Sequence, residues 1–261
     1  MKKIPQDIIG DIAVLKFPRR TLWITKKLKA RKFLKQHKNV TTVLEKTNGF
    51  SGILRTQKTK YLAGIKTKET TYIENNCRFK FNIDETYFSP RLSNERKITA
   101  EEISKLTKKK DMRILVMFAG VGPYPIILAK KLKKEKKQVE VYSNELNKKA
   151  YHYMRDNITR NKLSDYIIQV PGDAKKLPTK IKDKMDVIFM PRPNIEDTFL
   201  KTALKMSKKG ATIFYHGFGT KEEVLEEVRE ACGEKIGKIS IRKAGDIAVE
   251  KYRWFVRFKV K

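Results

Sequence analysis

The sequence predicts an α/β protein with a parallel, doubly wound sheet in its C-terminal part and a smaller α+β domain before it. From residue 113 onward, short apolar runs alternate with helical segments, which is typical of βαβ units. Residues 1–90 instead contain short strand-like pieces around one basic helix. A glycine-containing turn follows the first strand of the alternating part. We therefore predict an N-terminal domain over residues 1–97 and a C-terminal domain over residues 98–261.

The N-terminal domain contains four strand-like segments and one helix. The helix is predicted within 19–38, where Leu22, Ile24, Leu28, Phe33 and Leu34 fit an amphipathic pattern. Asn48-Gly49 and Asn75-Asn76 are turn signals. A capping-box pattern that starts at Thr99 predicts a helix over 100–109. The strand-like segments are IGDIAVLKF (9–17), VTTVLEKT (40–47), YLAGIKT (61–67) and CRFKFNI (77–83).

The C-terminal domain contains five strands that alternate with helices, followed by two further strands. The five strands are RILVMF (113–118), VEVYSN (139–144), YIIQV (166–170), MDVIFM (185–190) and ATIFYH (211–216). The helices are predicted over 124–134, 147–161, 196–207 and 220–232. The last two strands are KIGKISIRK (235–243) and YRWFVRFKV (252–260). A terminal β-pair that closes a parallel sheet is the common arrangement of class I (Rossmann-like) methyltransferases and is not expected for a dehydrogenase.

The charge of the chain indicates a polyanionic partner. Its 60 basic and 29 acidic residues give a net charge of +31, and such an excess favours binding to phosphates. The alternative is a lysine-rich proteome in which surface lysine is only composition. Residues 19–38 hold no acidic residue and interleave Trp23 and Phe33 with the cations. This segment suits an RNA backbone with exposed bases, although an ordinary amphipathic helix explains it as well.

Other classes of protein are disfavoured by composition. No apolar run approaches the length of a membrane span, and the first residues do not resemble a signal peptide. Cys77 and Cys232 show no pairing pattern, so we expect reduced, structural cysteines in a cytoplasmic protein. No Cys/His spacing predicts a zinc site, and we predict no metal.

The turn after the first strand of the C-terminal domain predicts a nucleoside-cofactor site. Gly120 and Gly122 leave room for a ligand to approach the backbone. Pro125 stands where a dinucleotide fingerprint needs its third glycine, which argues against a pyrophosphate ligand. Glu145 ends the second strand and is placed to accept ribose hydroxyls, and Asp173 follows the third strand, where an adenine amino group is commonly bound. The alternative is that both acids are loop residues without a ligand.

With these residues considered, the chain resembles the archaeal and eukaryotic tRNA (guanine-N1)-methyltransferases that modify position 37, next to the anticodon. The resemblance covers nearly the whole chain. Arg91 and Pro123 favour this family over the related aminocarboxypropyl transferase of wybutosine synthesis, which has FSPAN and a GIGH-like loop at these places. The shared segments are IIGDIAVL, SGILRTQ, YLAG, YFSPRLSNER, MFAGVGPY, NELNKKAYHYMRDNITRNKL and KYRWFVRFKV.

The resemblance implies roles for particular residues. Glu95 corresponds to the general base that takes the proton from guanine N1. Arg55 corresponds to the arginine that stabilises negative charge on guanine O6. The alternatives are a phosphate clamp or surface ion pair for Arg55 and Arg91, and a salt bridge to Arg91 or Arg96 for Glu95. The residues expected to bind S-adenosyl-L-methionine are Phe118, Gly120, Gly122, Pro123, Glu145, Leu146, Asp173, Ala174 and Pro191. The residues expected to bind the target base are Tyr87, Arg91, Arg96, Arg192, Pro193 and Asn194.

The sequence departs from the family pattern at three places. Val116 replaces the acidic residue that usually precedes MFAGVGP. The loop MPRPN replaces an Asn-Leu-Pro or Asn-Pro-Pro motif, so Pro191 stands at the asparagine position and offers no side-chain amide. Asn194 after a local shift, or Arg192, is the candidate replacement. The chain also begins almost at IIGDIAVL, so we expect the family's extra N-terminal domain, which contacts the tRNA elbow, to be missing.

These departures leave several functions open. Guanine N1 methylation at position 37 ranks first, and C7-methylation of the wyosine precursor 4-demethylwyosine at the same position ranks second. Aminocarboxypropyl transfer ranks third. A non-catalytic RNA-binding module is the alternative from another class. In the leading reading the partner is the anticodon stem-loop of a tRNA, the protein is a monomer and no membrane is involved.

Overall fold

The computed structural model of the protein describes residues 4–49, 51–108, 111–248 and 250–261. Its N-terminal part forms a four-stranded sheet of order β1-β2-β3-β4 and a two-stranded sheet of β5 and β6. Helix α1 packs against β3 and β4. The elements are β1 Gln6–Ile9, β2 Ile12–Leu15, α1 Trp23–Gln36, β3 Thr42–Lys46, β4 Thr59–Gly64, β5 Glu69–Glu74 and β6 Cys77–Asn82.

The C-terminal part forms a seven-stranded sheet of order β12-β13-β11-β10-β7-β8-β9. Strands β7 to β11 run parallel to one another, and β13 joins β11 in an antiparallel pair. This confirms the predicted α/β sheet with its terminal β-pair. The elements are α2 Ser93–Leu106, β7 Arg113–Val116, α3 Pro123–Lys134, β8 Glu140–Glu145, α4 Lys148–Arg160, β9 Ile167–Pro171, α5 Leu177–Lys180, β10 Met185–Met190, α6 Leu200–Met206, β11 Ser207–Gly219, α7 Lys221–Cys232, β12 Ser240–Ala248 and β13 Lys251–Lys259.

The order of the strands places a functional site at one edge of this sheet. The chain runs outward from β7 through β8 to β9 and then returns to β10 on the other side of β7. The crevice beside the carboxyl ends of β7 and β10 is therefore the topological switch point, where α/β sheets bind ligands.

The β5–β6 hairpin links the N-terminal part to the large sheet. Asn75 and Asn76 form its turn at φ +47° and +59°, which asparagine tolerates better than most residues. The backbone N–H of Lys80 donates to the Asn157 side chain of α4 at 2.8 Å, and Arg78 N–H donates to Asn161 at 3.0 Å. These bonds align the hairpin with α4.

Several predicted element boundaries in the N-terminal part are wrong. The single strand over 9–17 is two strands, because Gly10 at φ +59° opens a turn between them. Strand β5 was not predicted. Helix α2 begins at Ser93 rather than at residue 100, and Thr99 lies buried inside it, so the capping-box pattern there does not mark a helix start. The predicted domain boundary at 97/98 falls within α2 and stays a prediction.

Two helices also differ from expectation. In α1 only Ala30 and Phe33 are buried, whereas Leu22, Ile24 and Leu28 are 74%, 72% and 59% exposed, so the predicted apolar face is wrong at those three positions. The helix predicted from residue 196 begins at Leu200, because the preceding residues form a loop.

The hydrophobic core lies on both faces of the large sheet. Val116, which stands at the usually acidic position, is fully buried in it. Cys77 and Cys232 are buried and unpaired, and burial raises the pKa of each thiol to about 11. Among the described residues, no helix is both long and apolar enough to cross a bilayer.

Candidate active site

A cavity of about 640 Å³ opens at the carboxyl ends of β7, β8, β9 and β10. One side is formed by the turns that follow these strands, which we call the cofactor half. The other side is formed by residues 53–55, 87–92 and the β12–β13 hairpin, which we call the base half. All the site residues predicted from the sequence line this cavity except Gly122 and Glu95. Their roles remain predictions.

The turn between β7 and α3 has the conformation that its glycines were expected to allow. Gly120 and Gly122 have φ angles of +59° and +92°, and Phe118 adopts +55° as well. A Cβ on Gly122 would lie 2.8 Å from the Cδ1 atom of Ile126 and 3.0 Å from Cγ of Met154. Gly122 therefore serves the packing beneath the turn, whereas Gly120 and Pro123 reach the cavity.

Glu145 fastens this turn to the end of β8. One carboxylate oxygen accepts the backbone N–H of Gly120 at 2.7 Å, and the other accepts that of Asn147 at 2.7 Å. Burial raises the pKa of Glu145, and the backbone N–H donors of Asn147, Gly120 and Leu146 oppose that rise. Each oxygen keeps a further lone pair, so the carboxylate can still accept hydroxyl groups from the cavity.

The end of β9 and an aromatic pair complete the cofactor half. Asp173 caps the turn after β9 by accepting the N–H of Lys175 at 2.9 Å. The rings of Phe118 and Phe199 meet edge to face, with centroids 5.0 Å apart. Phe199 itself has φ +56°. Two aromatic faces beside a carboxylate suit a flat, hydrogen-bonding ring such as adenine.

The base half presents arginines together with apolar residues and the carboxylate of Asp246. Arg55 lies on a short loop with φ +51°, and its backbone N–H donates to Gly52 O at 3.1 Å. Arg91 is 80% exposed at its side chain and pairs with Asp7 at 2.6 Å. Tyr87 also lines the cavity. Arg91 therefore forms the surface ion pair that was the alternative prediction for it, and its side chain also borders the cavity.

Glu95 is held by an arginine that sequence reasoning did not identify. Its two carboxylate oxygens accept from the two terminal nitrogens of Arg242, each at 2.9 Å. The guanidinium of Arg242 also lies 4.1 Å from the centre of the Phe255 ring. The alternative prediction, a salt bridge from Glu95 to Arg91 or Arg96, is therefore wrong. Glu95 is 8% exposed and lies behind the cavity wall rather than in it.

Arg96 has a structural task in the base half. Its guanidinium is buried against the carboxylate of Glu74, and it donates to Ser89 O at 3.0 Å. It thereby fixes helix α2 to the β5–β6 hairpin and to the segment that carries Tyr87. Its predicted contact with the base would have to use the edge of the guanidinium that faces the cavity.

Hydrogen bonds of the buried Arg192 side chain fix the loop after β10. Arg192 is 4% exposed, and its guanidinium donates to Glu227 of α7 at 3.1 Å and to Ile195 O at 2.5 Å. This arrangement keeps Pro191, Pro193 and Asn194 at the cavity. Because Arg192 is bonded within the protein, the expectation that it reads the base is weakened, and Asn194, which is exposed, remains available.

Several cavity residues were not predicted. They include residues of β11, of the first turn of α3, of the loop that precedes α6 and of the β12–β13 hairpin, which sequence reasoning treated only as structural elements. The one available signal was a histidine at the end of the fifth strand, in line with the carboxyl ends of its neighbours. The unpredicted residues that matter most below are Tyr124, Phe199, His216 and Arg253.

The residues of the cofactor half fit S-adenosylmethionine. The Gly120 backbone is open on its cavity side, since an added Cβ would meet only Tyr87 O, at 3.7 Å. Glu145 supplies an acceptor for ribose hydroxyls, Asp173 one for an amino group, and the phenylalanines an apolar slot. No phosphate-binding cluster of cations borders this turn, which matches a nucleoside rather than a nucleotide among the described residues.

The fold and the cavity define a class I methyltransferase with a wide, arginine-lined opening for its substrate. The chain belongs to the TRM5/TYW2 family, whose methyltransferase domain matches residues 70–241. It is an S-adenosylmethionine-dependent tRNA methyltransferase.

Three comparisons place the chain within this family. It is 32% identical to the tRNA (guanine(37)-N(1))-methyltransferase Trm5b of Pyrococcus abyssi, over 97% of this chain and 74% of that protein. It is 32% identical to the tRNA (guanine(37)-N(1))/4-demethylwyosine(37)-methyltransferase Taw22 of Nanoarchaeum equitans, over 95% of this chain and 96% of that one. The crystal structure of Pyrococcus abyssi Trm5b superposes with a TM-score of 0.78 at 31% identity, covering 98% of this chain and 75% of that chain.

Proposed function

We propose that the protein transfers the methyl group of S-adenosylmethionine to N1 of guanine 37 in tRNA. One observation carries this proposal: a single cavity joins the cofactor half to Arg55, Tyr87 and Arg91. A nucleoside cofactor and a purine can therefore share one enclosed space. The name of the Pyrococcus abyssi relative supports the same reaction.

The chain's own residues would divide the work as follows. S-adenosylmethionine supplies an electrophilic methyl group on its sulfonium when it is bound. Glu145 and Asp173 hold the cofactor's ribose and adenine, and the Gly120 backbone allows close approach. Arg55 donates to guanine O6, where negative charge grows as N1 loses its proton. Glu95 accepts that proton, since N1 is a weak acid that cannot keep it once the methyl group has bonded there.

The pairing of Glu95 with Arg242 bears on this role. A carboxylate whose two oxygens already accept from one guanidinium keeps free lone pairs, so it can still accept a proton from a base that reaches it. Because Glu95 lies behind the cavity wall, the base must approach along Tyr87 and Arg91, or the pair with Arg242 must open. The free protein thus holds the carboxyl group of Glu95 oriented by Arg242 before the substrate arrives.

C7-methylation of 4-demethylwyosine is the second candidate, and one observation favours it. The loop after β10 offers Pro191 where a guanine-reading amide is expected, which suits a larger tricyclic base. The Nanoarchaeum equitans relative carries both activities in its name.

The surroundings of the site lead to further proposals. We place the anticodon stem-loop against the base half, with the basic helix α1 contributing phosphate contacts beyond it. The protein acts as a monomer in the cytoplasm. In this proposal, residues 1–97 form a domain that recognises the tRNA, and residues 98–261 form the domain that binds S-adenosylmethionine and catalyses methyl transfer.

The proposal is tested with two tRNA transcripts that differ only at position 37, carrying guanine or adenine. The protein and S-adenosylmethionine labelled in its methyl group are incubated with each. We expect label in the guanine-37 transcript alone. Equal labelling of both transcripts would contradict action at that position, and labelling of neither would contradict action on an unmodified guanine.

A further inference from the structure

Two neighbouring aromatic side chains at the cavity each carry a buried polar atom that has no hydrogen-bond partner. These atoms are Nε2 of His216 and the hydroxyl oxygen of Tyr124, in the part of the chain that the structure describes. His216 is 2% exposed and Tyr124 is 8% exposed, and both side chains line the cavity. An unpaired buried polar atom destabilises a folded protein, so native structures nearly always satisfy such atoms.

The two rings lie close together in the wall of the cavity. Their centroids are 6.1 Å apart, and Phe189 contacts both, at 4.7 Å from Tyr124 and 5.3 Å from His216. Phe255 lies on the other side of His216, at 5.8 Å. Phenylalanine would satisfy this apolar setting at either position without an unpaired polar atom. The imidazole and the hydroxyl therefore point to a polar group that enters the cavity.

Away from the ends of β8 and β9, the amide and carboxylate side chains of the cavity that could accept from such a group are exposed, since Asn194 is exposed and Asp246 is 75% exposed and pairs with Lys243 at 2.6 Å. The arginines Arg55, Arg91 and Arg253 line the base half and can only donate hydrogen bonds. Glu95, which pairs with Arg242, is already assigned to the proton of guanine N1. Pro191 offers no side-chain amide. Guanine, however, presents an exocyclic amino group that donates, so its binding at the buried side of the cavity needs an acceptor there.

His216 is suited to accept because it is neutral. Burial lowers its pKa well below the usual value, and the nearby cations Arg253, Arg242 and Arg192 lower it further. A neutral imidazole protonated at Nδ1 carries a lone pair on Nε2. The Tyr124 hydroxyl also stays protonated, since burial raises its pKa. It can accept through oxygen while it donates elsewhere.

We propose that His216 Nε2, assisted by the Tyr124 hydroxyl, accepts the exocyclic 2-amino group of the target guanine and selects guanine against bases that lack this group. In this chain, His216 and Tyr124 thus supply a hydrogen bond to the base that Pro191, which has no side-chain amide, cannot make. The inference rests on the proposed guanine-37 reaction and names the residues that read one edge of its substrate.

The test compares transcripts with guanine or inosine at position 37, since inosine lacks only the 2-amino group. For the unaltered protein we expect kcat/KM to fall about 10-fold or more on inosine. His216→Phe should lower kcat/KM on guanine by a similar factor and leave that on inosine nearly unchanged. His216→Gln, which restores an acceptor, should recover part of the preference. Tyr124→Phe should reduce the preference by a smaller factor.

Controls separate recognition from folding. Tyr142→Phe removes a hydroxyl that pairs with Glu140 outside the cavity and should change neither rate. The melting temperature and the calorimetric affinity for S-adenosylmethionine report whether each variant is folded. An equal loss on guanine and inosine in folded His216→Phe overturns the inference. If the unaltered protein forms no 1-methylguanosine on guanine 37, the proposed function fails instead, and the two failures are distinguishable.

Discussion

The two halves of the cavity are built in different ways. In the cofactor half, each predicted residue follows the end of a strand, and Glu145 reaches Gly120 through a single hydrogen bond between neighbouring turns. In the base half, the key contact joins Glu95 to Arg242, which are 147 positions apart in the chain. Residues at the ends of strands can therefore be placed from local spacing, whereas the proton transfer proposed for Glu95 would depend on a pair assembled from distant segments.

The largest expected effect concerns the base half. Glu95→Gln keeps the shape of the side chain but cannot take the N1 proton, so we expect the single-turnover methylation rate to fall by about 100-fold or more. The affinity for S-adenosylmethionine should stay unchanged, because Glu95 does not border the cofactor half.

The matched control for this variant is Glu102→Gln. Glu102 contacts the same guanidinium of Arg242, at 3.3 Å, but has no predicted role in proton transfer. A small change in rate is expected there. If Glu95→Gln reacts as fast as the unaltered protein, Glu95 is not the base and the pair with Arg242 is only structural.

In the cofactor half, Glu145→Ala should weaken binding of S-adenosylmethionine by about 10- to 100-fold, as expected for the loss of charge-assisted hydrogen bonds. Isothermal titration calorimetry measures this directly. Glu140→Ala, on the same strand but paired with the exposed side of Arg113, is the control. Unaltered cofactor affinity in Glu145→Ala would mean that this carboxylate only braces the Gly120 turn.

The basic helix should affect RNA binding without affecting the choice of base. Replacing exposed Arg31, Lys32 and Lys35 by Gln should reduce the steepness of the salt dependence of tRNA affinity by about 2 to 3 in the log–log slope. The guanine-to-inosine preference should not change. The same substitution at Lys201, Lys205 and Lys209 removes equal charge elsewhere. An equal loss of slope in both triple variants would show a general charge effect.

The smallest expected effect is on stability at acid pH. His216 has a folded-state pKa below its unfolded value, so only the unfolded chain gains a proton as pH falls. Stability is then full above the unfolded pKa of about 6.5 and decreases below it, by up to about 1.4 kcal/mol at pH 5.5. Melting temperatures from pH 7.5 to 5.5 should fall less for His216→Phe. An identical fall in both proteins would place His216 in a solvated setting.

Much of the fold could be predicted because the βαβ pattern is local. Strands β7 to β11 and β13 lie at their predicted apolar runs, whereas β12 spans Ser240–Ala248 rather than 235–243. Helix α2 also differs, since its start at Ser93 follows from the turn at Pro90 rather than from the cap signal at Thr99. In the site, Gly120 and Glu145 were accessible from spacing alone. Arg242 and His216 were not, because their relation to the cavity arises only when β12 and β11 join the sheet.

The central claim is the identity of the methylated atom. It is tested most directly by mass spectrometry of the nucleosides released from unmodified tRNA after reaction with methyl-labelled S-adenosylmethionine. We expect labelled 1-methylguanosine, from guanine 37. The absence of this nucleoside, with labelled product appearing only on tRNA that carries 4-demethylwyosine, would contradict guanine N1 methylation and assign C7-methylation to the same cavity.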